Sequence, residues 1–372
     1  MRAGGMRVLY ITQGDSAHDR RFLRAIHQAG VQAGVVRLSG ISPRGRLPDG
    51  VADFTPPATP GRTGMDEMLR MRRHLQSIFR AFAPSVIHAG PIQQGAFLAG
   101  LSGLHPLIAM SWGSDLLLGA RKGTGRWMAR WALSRSRLLL CDCQTVRQAA
   151  IELGVAPDRV VVFPWGVDLQ RFRPGRSSLL RRKLGWGGAT VLLSARSFEP
   201  VYGVDLVIGA FLRLAPTEPQ LRLLLLGEGS LRASLQRRIE QAGLLGRVHF
   251  AGGVSEDHLP EYFRAADLYV SASHSDGTSV TLLEALATGV PVLVSDLPSN
   301  QEWIEEGVQG WTFEAGSSSA LEQGIRRALM ERRRSSGMGR AARELVESKA
   351  DWRRSSRMLI DAYQMVSGHG IG

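Results

Sequence analysis

Two carboxylates in the second half of the chain, Asp276 and Glu284, stand eight residues apart around a predicted turn and helix start. The apolar run Leu268 to Val270 is typical of a buried strand, and a second apolar run, Val290 to Val294, closes a predicted βαβ unit. A helix start leaves backbone N–H groups without partners, and here these come from Gly277, Thr278 and Ser279, where they suit a phosphate. Since a carboxylate further along can accept two hydrogen bonds from a diol, the pattern predicts a ligand that carries both phosphate and hydroxyl groups.

A purely structural interpretation of the same residues stays open. The run Thr281-Leu-Leu-Glu284 fits a helix capping box, and Asp276 could serve as an ordinary turn residue.

The length and composition favour two α/β domains rather than one. The chain has 372 residues, 44% of them hydrophobic and 21% charged, which is an ordinary globular composition. Its formal charge of +13 comes almost wholly from arginine, and it favours anionic partners such as nucleotide diphosphates or acidic lipid surfaces. The two cysteines, Cys141 and Cys143, are too few for a metal site and suggest a reducing compartment.

The elements that must position the carboxylates form two Rossmann-like halves. The first half opens with a strand at Arg7 to Thr12, a polar loop that contains Gly14, and a helix at Arg20 to Ala29, but it lacks the G-x-G-x-x-G fingerprint of dinucleotide binding. The second half opens with a strand at Thr190 to Ala195, and Arg196 follows directly. We therefore predict an N-terminal domain over 1–168, a linker over 169–189, a C-terminal domain over 190–347 and a last helix over 348–372 that crosses back to the first domain.

The motif around the two acids is similar to the signature of the retaining glycosyltransferases of family 4. That family has two glutamates separated by seven residues, then Gly-x-Pro-Val; here Asp276 replaces the first glutamate, Glu284 matches the second, and Gly289-Val-Pro-Val292 matches the rest. The run Pro164-Trp-Gly-Val-Asp168 with Phe172 also resembles the family's crossing between domains. The resemblance covers nearly the whole chain, and it implies the GT-B fold, two Rossmann-like domains that face each other across a cleft.

The resemblance also implies roles for residues of the second domain. Arg196 matches a cation that clamps the donor diphosphate, whereas Tyr202 stands where relatives have a lysine. Asp276 would orient the donor sugar and Glu284 would hold the ribose. Glycines such as Gly227 and Gly253 would let the backbone approach the nucleotide. The predicted site needs no metal, because charge on the leaving phosphates would be stabilised by Arg196 and the N–H groups near Thr278 and Ser279.

Residues of the first domain are predicted to face the acceptor. Asp115 follows a strand at Leu107 to Met110, either as a helix cap or as an acceptor-side acid, and Gly14 would border the ligand or form a plain turn. Relatives have a histidine where this chain has Trp112, so a histidine-assisted step is in doubt. His88, at a strand end, fits either a core histidine or a site residue.

A basic segment in the first domain has two interpretations, and one of them is contact with an anionic membrane. Between Leu116 and Leu140 there are six cationic side chains and no acid, with Trp127 and Trp131 interleaved. A half-buried surface helix whose arginine stems cover apolar area fits equally well. No apolar run is long enough to span a membrane, and the amino terminus does not fit a signal peptide, so we predict a cytoplasmic protein. A peripheral position on the inner face of the cell membrane stays open.

The sequence thus predicts a metal-independent glycosyltransferase that moves a sugar from a UDP- or GDP-sugar to a glycan or lipid-linked acceptor with retention of configuration. Two alternatives stay open: a related nucleotide-sugar epimerase, which an activity assay separates, and a catalytically lapsed scaffold or nucleic-acid-binding protein. No nucleic acid partner is expected under the transferase hypothesis.

Overall fold

The computed structural model describes residues 5–39, 47–57, 64–331 and 335–368. It divides into two compact units, one of Met1–Pro164 with Arg353–Gly372 and the other of Trp165–Trp352. Each unit is a parallel α/β sheet, which confirms the predicted class of two Rossmann-like domains.

The first unit is built on a sheet whose described strands are all parallel. The strands are β1 (Arg7–Thr12), β2 (Gln32–Arg37), β3 (Ala52–Asp53), β4 (Val86–Ala89), β5 (Leu107–Met110), β6 (Leu138–Cys141) and β7 (Val160–Val162). Their order is β3-β2-β1-β4-β5-β6-β7. The helices between them are α1 (Ala17–Gln28), α2 (Met65–Phe82), α3 (Phe97–Leu101), α4 (Gly123–Arg135) and α5 (Gln144–Glu152).

Helix α1 begins three residues earlier than the sequence predicted. The Ser16 hydroxyl accepts a hydrogen bond from the Asp19 N–H at 3.1 Å, and the Asp19 carboxylate accepts one from the Ser16 N–H at 3.0 Å. This reciprocal capping box fixes the helix start at Ala17 rather than Arg20.

The second unit repeats the architecture with a sheet in the order β10-β9-β8-β11-β12-β13, again parallel throughout the described strands. The strands are β8 (Thr190–Ala195), β9 (Leu221–Leu226), β10 (Val248–Gly252), β11 (Leu268–Ser271), β12 (Val292–Ser295) and β13 (Gly310–Phe313). The helices are α6 (Ser178–Lys183), α7 (Val204–Leu214), α8 (Arg232–Gln241), α9 (Leu259–Ala265), α10 (Val280–Ala287), α11 (Pro298–Gln301), α12 (Ser318–Met330) and α13 (Ser335–Lys349).

Both faces of this second sheet are buried. Along β8, Leu192 packs into one apolar cluster and its neighbours Val191 and Leu193 pack into another on the opposite face. A parallel sheet covered by helices on both sides requires such continuous apolar strands. The carboxyl ends of β8 and β11 lie side by side in this sheet, so the residues that follow them meet.

The last described helix, α14 (Trp352–Ser367), belongs to the first unit from Arg353 onward. Its buried side chains include Leu359, Ala362 and Tyr363. The Tyr363 hydroxyl lies 2.6 Å from Nδ1 of His88 at the end of β4. Within the described ranges, no helix combines the length and the apolar character that crossing a bilayer requires.

Candidate functional site

Arg196 follows the last residue of β8, and three groups hold its guanidinium. One terminal nitrogen (Nη2) donates to the Asp276 carboxylate at 2.5 Å, which makes an ion pair. The other (Nη1) donates to the Ser279 hydroxyl and lies 3.5 Å from the Thr281 hydroxyl. Only 9% of the Arg196 side chain is exposed. Arg196 therefore meets Asp276 and Ser279, which lie 80 or more positions further along the sequence, at the end of β8.

The amino end of α10 is organised by hydroxyl groups. Ser279 is the N-cap, and its hydroxyl accepts from the Leu282 N–H at 3.4 Å. Thr281 is already inside the helix, where its hydroxyl lies 3.0 Å from that of Ser279 and 2.8 Å from that of Tyr269. A capping box that starts at Thr281 is therefore not formed, and the helix begins two residues earlier than that interpretation requires.

Tyr202 packs directly against the arginine. It ends a single 3₁₀ turn, Pro200–Tyr202, and the centre of the Arg196 guanidinium lies 4.2 Å from the centroid of its ring. Gly203 then turns the chain with φ of +59°, and a Cβ atom there would lie 2.1 Å from the carbonyl oxygen of Ala272. A side chain at position 203 would therefore push this turn away from the sheet, and with it the tyrosine ring.

The glycines predicted to approach a ligand differ in what surrounds them. Gly227 follows β9 with φ of +135°, and a Cβ atom there would lie 2.3 Å from the Arg196 carbonyl oxygen, so it allows the ends of β8 and β9 to touch. Gly253 is exposed and has open space around it, whereas Gly14 lies in the first unit, where a Cβ would meet the Ser39 hydroxyl at 3.4 Å. The geometry explains why position 227 is a glycine, and the predicted ligand contacts of Gly14, Gly227 and Gly253 all stay predictions.

For Asp276 and for Arg196, burial and neighbouring charges shift the pKa in opposite directions. Burial raises the pKa of Asp276, and the Arg196 guanidinium and the Gly277 N–H offset part of that rise. For Arg196, burial acts to lower the pKa, but Asp276, Tyr269 and Tyr202 outweigh it and the net shift is upward. Burial also raises the pKa of the Tyr202 phenol. The guanidinium therefore stays charged, and the phenol stays protonated as a hydrogen-bond donor.

The other predicted residues of this unit lie on the same helix and turn. Glu284 lies one turn beyond Thr281 in α10 and is 8% exposed. The hydroxyl of Thr278 accepts from Nε1 of Trp303 at 3.2 Å, and the carbonyl of Asp276 accepts from the Ser299 hydroxyl at 2.9 Å. These contacts fix the backbone of the turn that carries Asp276 and Gly277.

In the first unit, Asp115 is engaged in local structure. Its carboxylate accepts from the Ser111 hydroxyl at 2.6 Å and from the N–H groups of Ile92 and Leu116 at 2.9 and 3.0 Å. Burial raises its pKa, and these hydrogen bonds offset part of the rise. The geometry is that of a cap that ties two single π-helical turns together, Ile92–Ala96 and Asp115–Gly119. A catalytic role for Asp115 stays a prediction.

Trp112 and His88 lie in the same unit with different surroundings. The Trp112 ring packs 5.9 Å from the ring of His18 and 6.2 Å from that of Phe22. His88 is 1% exposed, between β1, β5 and α14, in the position of a core histidine.

Sequence reasoning missed Tyr269 and Trp303 as parts of the site. Tyr269 lies inside strand β11 and Trp303 lies 25 positions beyond Thr278, so the motif around the two acids carries no signal for either residue. In the residues that the structure describes, no group of three or more histidine, cysteine, aspartate or glutamate side chains has the geometry to hold a metal ion.

Two sequence models of known families match this chain. The sequence model described as Glycosyltransferase Family 4 matches residues 14–171, and the one described as Glycosyl transferases group 1 matches residues 177–345. The chain belongs to glycosyltransferase family 4. The resemblance drawn from the Asp276–Glu284 motif is thereby confirmed.

Similar curated proteins are glycosyltransferases from bacteria. A D-inositol 3-phosphate glycosyltransferase of Geodermatophilus obscurus is 31% identical over 244 residues, which cover 61% of this chain and 52% of that protein. A GDP-mannose-dependent alpha-(1-6)-phosphatidylinositol monomannoside mannosyltransferase of Mycobacterium tuberculosis is 26% identical over 208 residues, 54% of each chain. The chain thus spans about half the length of the curated relatives it matches.

Several solved structures share the fold over almost the whole chain. A sucrose-phosphate synthase from Thermosynechococcus elongatus has a TM-score of 0.81 at 18% identity, covering 98% of this chain and 100% of that one. Anabaena HepE, crystallised with UDP, has a TM-score of 0.76 at 18% identity, covering 97% and 100%. At this identity the likeness concerns the fold, and it confirms the predicted GT-B class.

Proposed function

We propose that this family 4 protein transfers a sugar from a nucleoside-diphosphate sugar to a hydroxyl of a glycan or lipid-linked acceptor, with retention of configuration. The observation that carries the proposal is the cluster at the end of β8, where a buried guanidinium, a carboxylate and a hydroxyl-capped helix start converge. A UDP- or GDP-sugar fits this chemistry, since it presents a diphosphate beside a ring with hydroxyl groups.

We propose a task for each group of the cluster. As the glycosidic bond breaks, negative charge builds on the diphosphate, and Arg196 with the N–H groups at the start of α10 would stabilise it. Asp276 would accept hydrogen bonds from the sugar, and Glu284 would hold the ribose. Among these residues no carboxylate is assigned as a covalent nucleophile, so we favour substitution on the same face, assisted by the leaving phosphate. The acceptor-side role of Asp115 rests on the family resemblance, and Gly14, which the sequence placed beside the donor or the acceptor, stays a prediction.

Replacement of Arg196 tests the donor site. We expect Arg196→Gln to weaken binding of the donor sugar nucleotide by about tenfold or more, because a charge-assisted hydrogen bond to phosphate contributes about 1.5–3 kcal/mol. Isothermal titration calorimetry with UDP-glucose and GDP-mannose measures this. The matched control is Arg213→Gln, which removes an arginine of the same unit that pairs with Glu322 at 2.6 Å. Equal donor affinity in both variants would contradict the phosphate role.

Assay of the products separates the alternatives. A transferase needs an acceptor to consume its donor beyond slow hydrolysis, whereas an epimerase converts the sugar nucleotide with no acceptor present. A lapsed scaffold consumes no donor under either condition.

We also propose that α4 docks on an anionic membrane. Trp127 on this helix is 59% exposed, and nearby Leu118 is 39% exposed. A groove of about 660 Å³ beside α4 is lined by Trp127, Trp131 and three arginines, Arg126, Arg130 and Arg159. Exposed tryptophan next to arginine suits the interface of an acidic bilayer.

Flotation with vesicles tests the membrane proposal. The protein should float with vesicles that contain phosphatidylglycerol at low salt, and binding should fall several-fold at high salt because screening weakens surface charge interactions. Arg126→Gln with Arg130→Gln should reduce flotation, whereas Arg72→Gln with Arg73→Gln on α2 serves as a control of equal charge. No flotation of the wild-type protein at low salt would end this proposal.

A further inference from the structure

The guanidinium of Arg196 is already occupied by the protein. Its two terminal nitrogens donate to Asp276, Ser279 and Thr281, and the Tyr202 ring covers one of its faces. Only Nε is buried with no hydrogen-bond partner among the described residues. A planar guanidinium has five N–H donors in a fixed fork, and Nε with Nη2 forms one of its two-donor edges. A phosphate that takes a bidentate grip on that edge competes with Asp276 for Nη2.

Asp276 is the partner that a phosphate would displace. Its carboxylate oxygen and a phosphate oxygen are both anionic acceptors that compete for the same nitrogen of Arg196. Two negative charges held beside that nitrogen would also repel each other. Ser279 is less exchangeable, because its hydroxyl also caps α10. The backbone of Asp276 is anchored through its carbonyl to Ser299, so the exchange requires only a movement of the side chain.

We propose that the Asp276–Arg196 ion pair is a latch that competes with the nucleoside diphosphate and promotes its release after sugar transfer. This inference rests on the proposed function and deepens it. When a sugar nucleotide binds, the hydroxyls of the sugar offer Asp276 new partners, and the diphosphate takes its place on Arg196. After the sugar has left, Asp276 has no sugar to hold, returns to the guanidinium and displaces the diphosphate. The latch therefore favours the intact donor over the product that shares its phosphates.

The Asp276→Asn variant tests the latch because it removes the competing charge and keeps the shape. We expect UDP or GDP, whichever binds the wild type more tightly, to bind Asp276→Asn about five- to tenfold more tightly by isothermal titration calorimetry. Sugar transfer should fall in the same variant, so the two measurements move in opposite directions. Asp257→Asn, which changes net charge equally at a side chain that is 81% exposed, is the control and should alter neither.

A double-mutant cycle separates competition from simple repulsion. In an Arg196→Gln background there is no guanidinium to compete for, so adding Asp276→Asn should leave the diphosphate affinity within about twofold. An equal gain in both backgrounds would overturn the latch in favour of repulsion alone. Asp276→Glu keeps the charge, and its diphosphate affinity should stay near that of the wild type. Asp276→Ser replaces the asparagine variant if a thermal melt shows that the latter is unfolded.

The remaining outcomes distinguish this inference from the proposed function. If the wild type and Asp276→Asn bound the same nucleoside diphosphate with equal affinity, the latch would be overturned and the donor site would remain supported. Binding of neither nucleotide to either protein would overturn the proposed donor site, and the latch with it.

Discussion

His88 is a histidine that the first unit keeps neutral. Its Nδ1 lies 2.6 Å from the Tyr363 hydroxyl and its Nε2 lies 2.7 Å from the Met110 sulfur. Because a thioether only accepts hydrogen bonds, Nε2 carries the proton and Nδ1 accepts from Tyr363. The Tyr10 ring packs 4.7 Å away, and the Tyr10 hydroxyl donates to Asp19 on α1 rather than to the imidazole. None of these groups offers a negative charge to the imidazole, and burial lowers the pKa of His88 to about 3.

This shift makes stability depend on pH in a defined window. Above about pH 6.5 His88 is neutral in both the folded and the unfolded chain. Below that pH the unfolded chain binds a proton at His88, whereas the folded chain does not bind it until about pH 3. Stability therefore falls as the pH falls through this window. Relative to His88→Gln, the wild-type protein should lose about 2 kcal/mol of unfolding free energy between pH 7.5 and pH 5. Urea denaturation at both pH values measures the difference.

The control for this prediction is His27→Gln, which removes an exposed histidine on α1 of the same unit. If the wild-type protein and His88→Gln lost stability in parallel on acidification, the buried histidine would not be the source.

At the scale of elements, local patterns in the sequence were sufficient to predict where strands lie, but they were insufficient to predict contacts between elements. The predicted bounds of β1, β5 and β8 agree with the structure, because short apolar runs next to polar turns identify buried parallel strands. The single π-helical turn at Asp115–Gly119 has no periodic signature and was not predicted. The start of α1 could have been predicted from Ser16-x-x-Asp19, and was missed because the polar loop masked the cap.

The same limit applies to the candidate site. Arg196, Asp276 and Ser279 could be placed at strand and helix ends from the sequence, since the carboxyl ends of parallel strands share one edge. That Tyr202 stacks on the arginine, and that Asp276 neutralises it, depends on contacts between β8 and a turn that follows 80 residues later. No local pattern encodes such a pairing, because it arises from the order of strands in the sheet.

At the scale of the whole molecule, the chain closes its first unit with its last helix. Residues 353–368 return to the sheet formed by residues 5–164, while the second unit is continuous from Trp165 to Trp352. The described strands of the second unit therefore all lie before residue 353, whereas the first unit lacks an element until residues 353–368 are present.

Truncation after Trp352 tests this division. Loss of α14 removes the buried Leu359, Ala362 and Tyr363 and leaves His88 without its hydroxyl partner, at a cost to the first unit on the order of 5 kcal/mol. Hydrogen exchange measured by mass spectrometry should show lost protection in β1, β4 and β5 and unchanged protection in β8, β9 and β11. Truncation after Gly368 is the control, since it keeps the whole of α14, and it should change neither set. Equal loss of protection in both sheets would mean that the two units do not fold independently, because the missing helix belongs to the first unit.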